Sequence, residues 1–144
     1  LMQAPFYQRL RVELQLGYAV FSGFRQIAGH GGLLFGVQSP GAGAEQLVAH
    51  IETFIEGLPA LINAADLPAE VKMLQDQLET ADMEHLQAAE LLWQAHLTGH
   101  DNDYSARLQH SLAHLRQDAL LEAAHQLAQP DSARLCLSNR ASAL

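Results

Sequence analysis

The chain has 144 residues and a mass of 15.7 kDa; 49% of its residues are hydrophobic and 17% are charged, which excludes wholesale disorder and fits one domain. Its formal net charge is −8, and its seven arginines and single lysine, Lys72, are scattered. Because a duplex-binding protein needs a clustered basic face, we expect no nucleic-acid partner. The longest apolar runs, about five residues, are far shorter than the ~20 residues that cross a bilayer, so we expect no membrane partner either.

The two ends of the sequence carry further information. The single cysteine, Cys136, cannot form an intramolecular disulfide, which is compatible with a reducing or an oxidising compartment. Because it lies within an apolar alternation, we expect it in the core rather than as a nucleophile. Position 1 is Leu1 rather than methionine, and a helical pattern begins almost at once, so we expect a segment of a longer polypeptide.

Helical periodicity dominates the sequence. Apolar residues at a spacing of four (Phe6, Leu10, Leu14) predict a first helix over residues 5–16, which Gly17 is expected to end. The same period predicts further helices over residues 44–64, 68–99, 104–112 and 119–127.

The remaining segments predict strands. Aromatic and β-branched residues over 18–27 and an apolar run over 33–37 flank the glycine-rich connection 28–32, which predicts an antiparallel hairpin. Residues 134–138 alternate and predict a final strand. This order of helices and strands indicates an α+β fold, with an antiparallel sheet covered by helices on one face. Three strands are too few for that much helix, so we expect one partial domain, residues 1–144, whose first strands lie upstream.

Eight histidines raise the question of a metal site. His110 and His114 stand four residues apart on a predicted helix, so both side chains can point the same way. A catalytic zinc needs a third protein ligand and usually a carboxylate base, as in H-E-x-x-H or H-x-x-E-H, and neither string occurs in the sequence. We therefore expect no metal ligand and no catalytic residue in this chain, and we expect both histidines to be solvated.

One block of the sequence carries a specific resemblance. The segment LRVELQLGYAVFSG, from Leu10 to Gly23, resembles the insulinase/pitrilysin family of zinc peptidases, which has the pattern L-R-x-x-x-Q-L-G-Y-x-V in its C-terminal half. The similarity continues through Gly29 to the segment Val37-Gln38-Ser39, which resembles an I/V-Q-S strand of that family. Within the family, the branch that acts in coenzyme PQQ biosynthesis is the most similar, and the general proteases of the pitrilysin type come next.

The resemblance implies a parent enzyme of four homologous α+β domains with the LuxS/insulinase-like fold, arranged as two halves around a chamber. It places the zinc and the H-x-x-E-H set in the first domain, outside this chain. It also implies that an arginine and a tyrosine bind the peptide substrate near the scissile bond, and Arg11 and Tyr18 occupy those positions here. From spacing alone, they would be a solvated arginine and a core tyrosine. Val12 and Leu14 depart from the pattern, since many members are polar there.

Three hypotheses follow. The leading one is the zinc-less C-terminal domain of an insulinase-type zinc metalloendopeptidase, which closes the chamber and contacts the peptide, in the processing of the PQQ precursor peptide. Its partners are then the N-terminal, zinc-bearing half and the peptide substrate. The alternative is a non-catalytic structural or peptide-binding module derived from the same family. An independent metal-binding helical protein built on His110 and His114 is the weakest of the three.

Overall fold

The computed structural model describes residues 1–27, 30–78, 85–97, 99 and 103–139. Helix α1 (Gln3–Tyr7) continues directly into a π-helical segment (Gln8–Glu13), and a hairpin of strands β1 (Ala19–Ile27) and β2 (His30–Gln38) follows. The remaining elements are the helices α2 (Ala44–Glu56), α3 (Leu58–Ala64), α4 (Leu67–Leu78), α5 (His85–Leu97), α6 (Tyr104–Ala113) and α7 (Gln117–Ala128).

One hydrophobic core joins the N-terminal helix, the hairpin and three of the later helices. Its buried members come from α1, the π-helical segment, β1, α2, α3 and α7: Phe6, Leu10, Val20, Phe54, Leu58, Ile62 and Ala124. The rings of Phe6, Phe35 and Phe54 meet edge to face, with centroids 5.0 Å apart for Phe6–Phe54, 5.2 Å for Phe6–Phe35 and 6.2 Å for Phe35–Phe54. This aromatic cluster ties α1, β2 and α2 together, and such pairs add to the free energy gained by burial alone.

The hairpin has one packed face and one open face. Its register runs from the pair Ala19–Gln38 to the pair Ile27–His30. Val20, Phe35 and Val37 lie on the face that packs against the core, whereas Phe21 on the opposite face is 51% exposed. The structure therefore confirms an α+β fold with an antiparallel sheet covered by helices on one face. The sheet has two strands within the described residues, and the outer edge of each is unpaired there.

The helices α4, α5 and α6 pack more loosely than this core. The Nε2 amide of Gln109 donates to the carbonyl oxygen of Leu78 at 3.3 Å and so joins α6 to the end of α4. Trp93 and Leu97 on α5 are 57% and 56% exposed. The accessible surface of the chain, 10331 Å², exceeds the roughly 7,300 Å² typical of a compact monomer of this mass. Much apolar surface is thus uncovered.

The N-terminal and glycine-rich elements differ in detail from the sequence prediction. The first helix ends at Glu13, not at Gly17, and it finishes with π-helical rather than α-helical bonding. Strand β2 begins at His30, so Gly31 and Gly32 are strand residues, while 28–29 lie outside the described residues.

The later helices agree with the periodicity, with breaks that it did not predict. The stretch 44–64 is two helices, because the chain turns at Gly57, whose N–H bonds to the last carbonyls of α2. The stretch 68–99 contains α4 and α5, and the segment 79–84 between them lies outside the described residues. The predicted helices over 104–112 and 119–127 are confirmed as α6 and α7.

The prediction of a final strand over residues 134–138 is wrong, as is that of a buried Cys136. This segment pairs with neither strand of the hairpin, and Cys136 is exposed. Leu135 and Leu137 are 85% and 86% exposed. An apolar alternation favours extended backbone, but a strand also needs a neighbouring edge to satisfy its N–H and C=O groups. This segment does not pair with the outer edge of β1 or of β2.

Arg134 instead fastens the segment to the end of α7. Its guanidinium donates to the carbonyl oxygens of Leu127 and Gln129 at 3.2 and 3.1 Å, and therefore satisfies groups that a helix end leaves unpaired. It also pairs with the Glu52 carboxylate on α2 at 2.9 Å. The side chain that was expected to open a strand thus connects α7 to α2.

The buried Phe6 can be tested against its exposed neighbour. We expect Phe6→Ala to lower the free energy of unfolding by about 3–5 kcal/mol, because it removes a fully buried ring and two aromatic contacts. Tyr7→Ala is the matched control, since Tyr7 is 48% exposed on the same helix. Urea unfolding of both variants measures the difference, and equal losses would contradict this account of the core.

Candidate substrate-binding surface

The two residues that the sequence singles out flank the link between the first helix and the hairpin. Arg11 lies within the π-helical segment, where the Leu14 N–H donates to the Arg9 carbonyl oxygen, five residues back, at 3.1 Å. A π turn holds one residue more than an α turn, so residues after it are rotated by roughly 100° about the helix axis relative to an uninterrupted α-helix. The π-helical segment therefore sets the direction in which the chain leaves toward Tyr18.

Arg11 is half-buried, and its guanidinium has no hydrogen bond or ion pair within the described part of the chain. Its neighbour Arg9, by contrast, pairs with Glu13 at 2.7 Å across one helical turn. The five N–H donors of Arg11 are consequently available to an acceptor such as a peptide carbonyl. The fully buried Leu10 beside it anchors the backbone from which Arg11 projects.

The link to the hairpin is held in a constrained conformation. Gln15 has a φ of 50°, in the left-handed region, which costs a residue with a side chain on the order of 1 kcal/mol. The Leu16 N–H then donates to the Leu10 carbonyl oxygen at 2.9 Å, closing the turn. Gly17 lies against β2: a Cβ there would be 2.6 Å from the Gln38 carbonyl oxygen and 2.8 Å from Cγ1 of Val37. Gly17 therefore permits a close backbone approach, rather than ending a helix.

The backbone of Tyr18 is held by a hydrogen bond, whereas its side chain is exposed. Its N–H donates to the Gln38 carbonyl oxygen at 2.9 Å, which extends the hairpin ladder by one bond. Its side chain is 64% exposed, and its hydroxyl has no partner among the described residues. The prediction of a core tyrosine from spacing alone is wrong, whereas an exposed hydroxyl on a fixed backbone is what a substrate contact requires. No hydrogen bond joins Arg11 and Tyr18 to each other in the described residues.

Beyond Tyr18, the rings of two exposed phenylalanines lie over glycines of the opposite strand, Phe21 directly across from Gly36 and Phe24 diagonally from Gly31. A Cβ on Gly36 would be 2.2 Å from the ring of Phe21, and one on Gly31 would be 2.9 Å from the ring of Phe24. Each ring thus covers the backbone of a glycine, and a larger residue at that position would displace the ring. Such an aromatic cover stabilises glycine within strands. Gly31 was predicted to lie in the connecting loop, so its contact with Phe24 was missed; in the register Gly31 pairs with Gln26, and Phe24 is its diagonal neighbour.

A groove of about 360 Å³ lies between the π-helical segment and α2. Neither Arg11 nor Tyr18 lines it. Its walls combine apolar residues with the Arg9–Glu13 pair and His50. The sequence did not mark these three polar residues as a candidate site. The lining residues are Pro5, Gln8, Arg9, Glu13, Leu14, His50, Thr53, Phe54, Gly57 and Leu61.

The described residues do not supply a zinc site of the catalytic kind. They contain no group of three or more His, Cys, Asp or Glu side chains that could hold a metal ion. His110 and His114 are exposed, with ring centroids 4.2 Å apart, and make a pair without a third protein ligand. The residues that the structure describes therefore do not fit a catalytic zinc ion. In the same part of the chain, every helix is too short or too polar to cross a membrane.

Comparison with known proteins gives the family. Residues 1–93, which include Arg11, Tyr18 and the whole hairpin, match the family described as PQQ synthase PqqF-like, C-terminal lobe domain 4. The chain belongs to this PqqF-like family. Since PqqF is an insulinase-family peptidase, the resemblance to that family and to its PQQ branch is confirmed.

Individual relatives extend the similarity beyond the PqqF-like match. Coenzyme PQQ synthesis protein F of Pseudomonas syringae pv. tomato is 55% identical over 140 residues, 97% of this chain. The proteins of the same name from Pseudomonas protegens and Pseudomonas putida are 48% and 44% identical, over 97% and 98% of the chain. The chain spans only 17–18% of the length of these three relatives. No solved structure matches it.

The close approach at Gly17 gives a test of how Tyr18 is positioned. We expect Gly17→Ala to destabilise the fold by about 1–3 kcal/mol, since the added methyl group collides with the end of β2 and pushes the link outward. Gly41→Ala is the matched control, because a Cβ at Gly41 meets nothing within 4 Å. Thermal melts of both variants measure the effect, and unchanged stability in Gly17→Ala would show that the link adapts at little cost.

Proposed function

We propose that this chain is the substrate-contacting C-terminal domain of an insulinase-type zinc metalloendopeptidase that processes the precursor peptide of coenzyme PQQ. The observation that carries the proposal is the match over residues 1–93 to a C-terminal lobe domain of PqqF-like proteins, which includes both Arg11 and Tyr18. The exposure of the Tyr18 side chain, 64%, supports it, because a core tyrosine cannot reach a substrate.

In this proposal the two side chains act as hydrogen-bond donors to the peptide backbone. The guanidinium of Arg11 donates to a carbonyl oxygen of the bound peptide and so positions it. The hydroxyl of Tyr18 donates to the oxygen on which negative charge develops as the scissile carbonyl is attacked. The Tyr18 backbone bond to Gln38 and the buried Leu10 hold the backbone of both donors in place beforehand, so binding has to order only their side chains.

The zinc and the residues that bind it belong, in the proposal, to the other half of the parent enzyme. The sequence of this chain has no H-x-x-E-H string, and its described residues have no three-ligand cluster. Zinc there supplies the activation of water for peptide hydrolysis. This chain closes the chamber and contributes donors.

The test uses the full-length protein and single variants of both donors. We expect Tyr18→Phe to lower kcat on the order of 10²–10³-fold with little change in KM, because its interaction is made mainly in the transition state. Arg11→Ala should also raise KM, since it removes a contact to the ground-state peptide. Steady-state kinetics on one peptide, with thermal melts beside them, measure both effects.

Two neighbouring residues provide matched controls. Tyr7→Phe removes a hydroxyl from another exposed tyrosine, and Arg9→Ala removes a guanidinium from the same π-helical segment. Both should keep parental kinetics, because neither occupies a position of the family pattern. Parental kcat/KM in Tyr18→Phe would end the substrate-contact proposal and favour the alternative, a non-catalytic structural or peptide-binding module of the same family.

The proposed partner, the remainder of the parent polypeptide, explains the uncovered apolar surface. The outer edges of the hairpin are unpaired within the described residues, and Phe21, Trp93 and Leu97 are each more than half exposed. Such surface in a free domain promotes self-association. Burial against the rest of the enzyme would cover it.

Co-expression tests this partner proposal separately from the chemistry. We expect the 144-residue chain to gain stability, and to lose self-association, when it is produced together with the rest of a PqqF-like protein. Size-exclusion chromatography and thermal melts of the chain with and without that partner measure both. An equally stable, monomeric chain without the partner would contradict the proposal, whatever the kinetics of the variants.

A further inference from the structure

We propose that His110 and His114 form a surface site for a divalent transition-metal ion with square-planar or octahedral preference, Cu²⁺ or Ni²⁺. Both side chains are exposed, and their ring centroids are 4.2 Å apart at the C-terminal end of α6. The site is separate from the proposed substrate contacts and does not depend on them.

His114 makes the kind of hydrogen bond that metal-binding histidines typically make with their second ring nitrogen. Its Nδ1 lies 2.8 Å from the backbone carbonyl oxygen of His110. A carbonyl oxygen only accepts, so Nδ1 carries the proton in this contact, and Nε2 is the ring nitrogen left to bind a metal ion. Metal-binding histidines typically donate their second ring N–H to a carbonyl or carboxylate in this way, which fixes the tautomer and the ring orientation.

The separation of the two rings is compatible with one shared ion. A nitrogen that binds at ~2.0–2.1 Å places the centroid of its ring about 3.2 Å from the metal. Two centroids 4.2 Å apart then subtend about 80° at a shared ion, near the ~90° between neighbouring ligands of a tetragonal site and well below the ~109° of a tetrahedral one. Nitrogen ligands in that geometry suit Cu²⁺ and Ni²⁺, with water in the remaining positions.

The position on the helix favours a cation as well. The last carbonyl groups of a helix carry partial negative charge, and His110 lies in the last turn of α6 with His114 as its C-terminal cap. The described residues provide no third protein ligand here. We therefore expect binding in the micromolar range rather than the tight binding of a structural or catalytic site.

The experiment titrates the full-length protein, its zinc site first filled with zinc, with Ni²⁺ by calorimetry and compares single variants. We expect His110→Gln and His114→Gln each to weaken binding by at least the roughly 10–100-fold that loss of a supporting partner costs a metal site. His125→Gln is the matched control, because His125 is exposed on α7 in a similar C-terminal turn. Its loss should leave the affinity unchanged.

A spectroscopic readout separates ligation from a structural role. Electron paramagnetic resonance of substoichiometric Cu²⁺ added to the zinc-loaded proteins should show two coupled nitrogens in the parent protein and one fewer in each single variant. Circular dichroism of the variants, measured without metal, should show unchanged helix content. Parental Ni²⁺ affinity in either variant, or the same Cu²⁺ spectrum in all proteins, would overturn the proposal.

Discussion

The edge-to-face cluster of Phe6, Phe35 and Phe54 is the interaction on which the rest of the structure depends. It joins residues from α1, β2 and α2, which are far apart in sequence, within centroid distances of 5.0–6.2 Å. A two-stranded hairpin is marginal by itself in water, so the hairpin needs this contact with helices on one face. Because the π-helical segment begins at Gln8, two residues after Phe6, the same cluster fixes the backbone that carries Arg11 and leads to Tyr18.

The local elements could be predicted because their signals are local. The 3.6-residue period marks the helices, and an aromatic and β-branched run and a second apolar run, joined by glycines, mark the hairpin. The prediction of a strand over residues 134–138 was wrong because a strand also needs the unpaired edge of another strand. A local sequence pattern does not show whether such an edge is available. Gly17 was misassigned for the same reason: its close neighbour, the Gln38 carbonyl oxygen, is contributed by a distant part of the chain.

Only part of the candidate site could be predicted from the sequence. Spacing alone favoured a core position for Tyr18, since an aromatic residue at a strand start is usually buried. The family pattern singled out Arg11 and Tyr18. The π-helical bonding between Arg9 and Leu14 was not predicted, because π turns are rare and occur mostly as single turns inside α-helices. The groove beside Arg9 and Glu13 combines residues from two helices, and no periodicity links them.

The π-helical segment restricts how the chain can change in length over evolution. The loop over residues 39–43 lies at the surface between β2 and α2, where an added or lost residue is absorbed by turns. Between Gln8 and Tyr18, the helix already holds one extra residue as a widened π turn. A single deletion there would restore a regular α-helix, and Arg11 or the residues after it would then lie on another side of the helix. Insertions and deletions in homologous chains should accordingly collect in the first segment and spare the second.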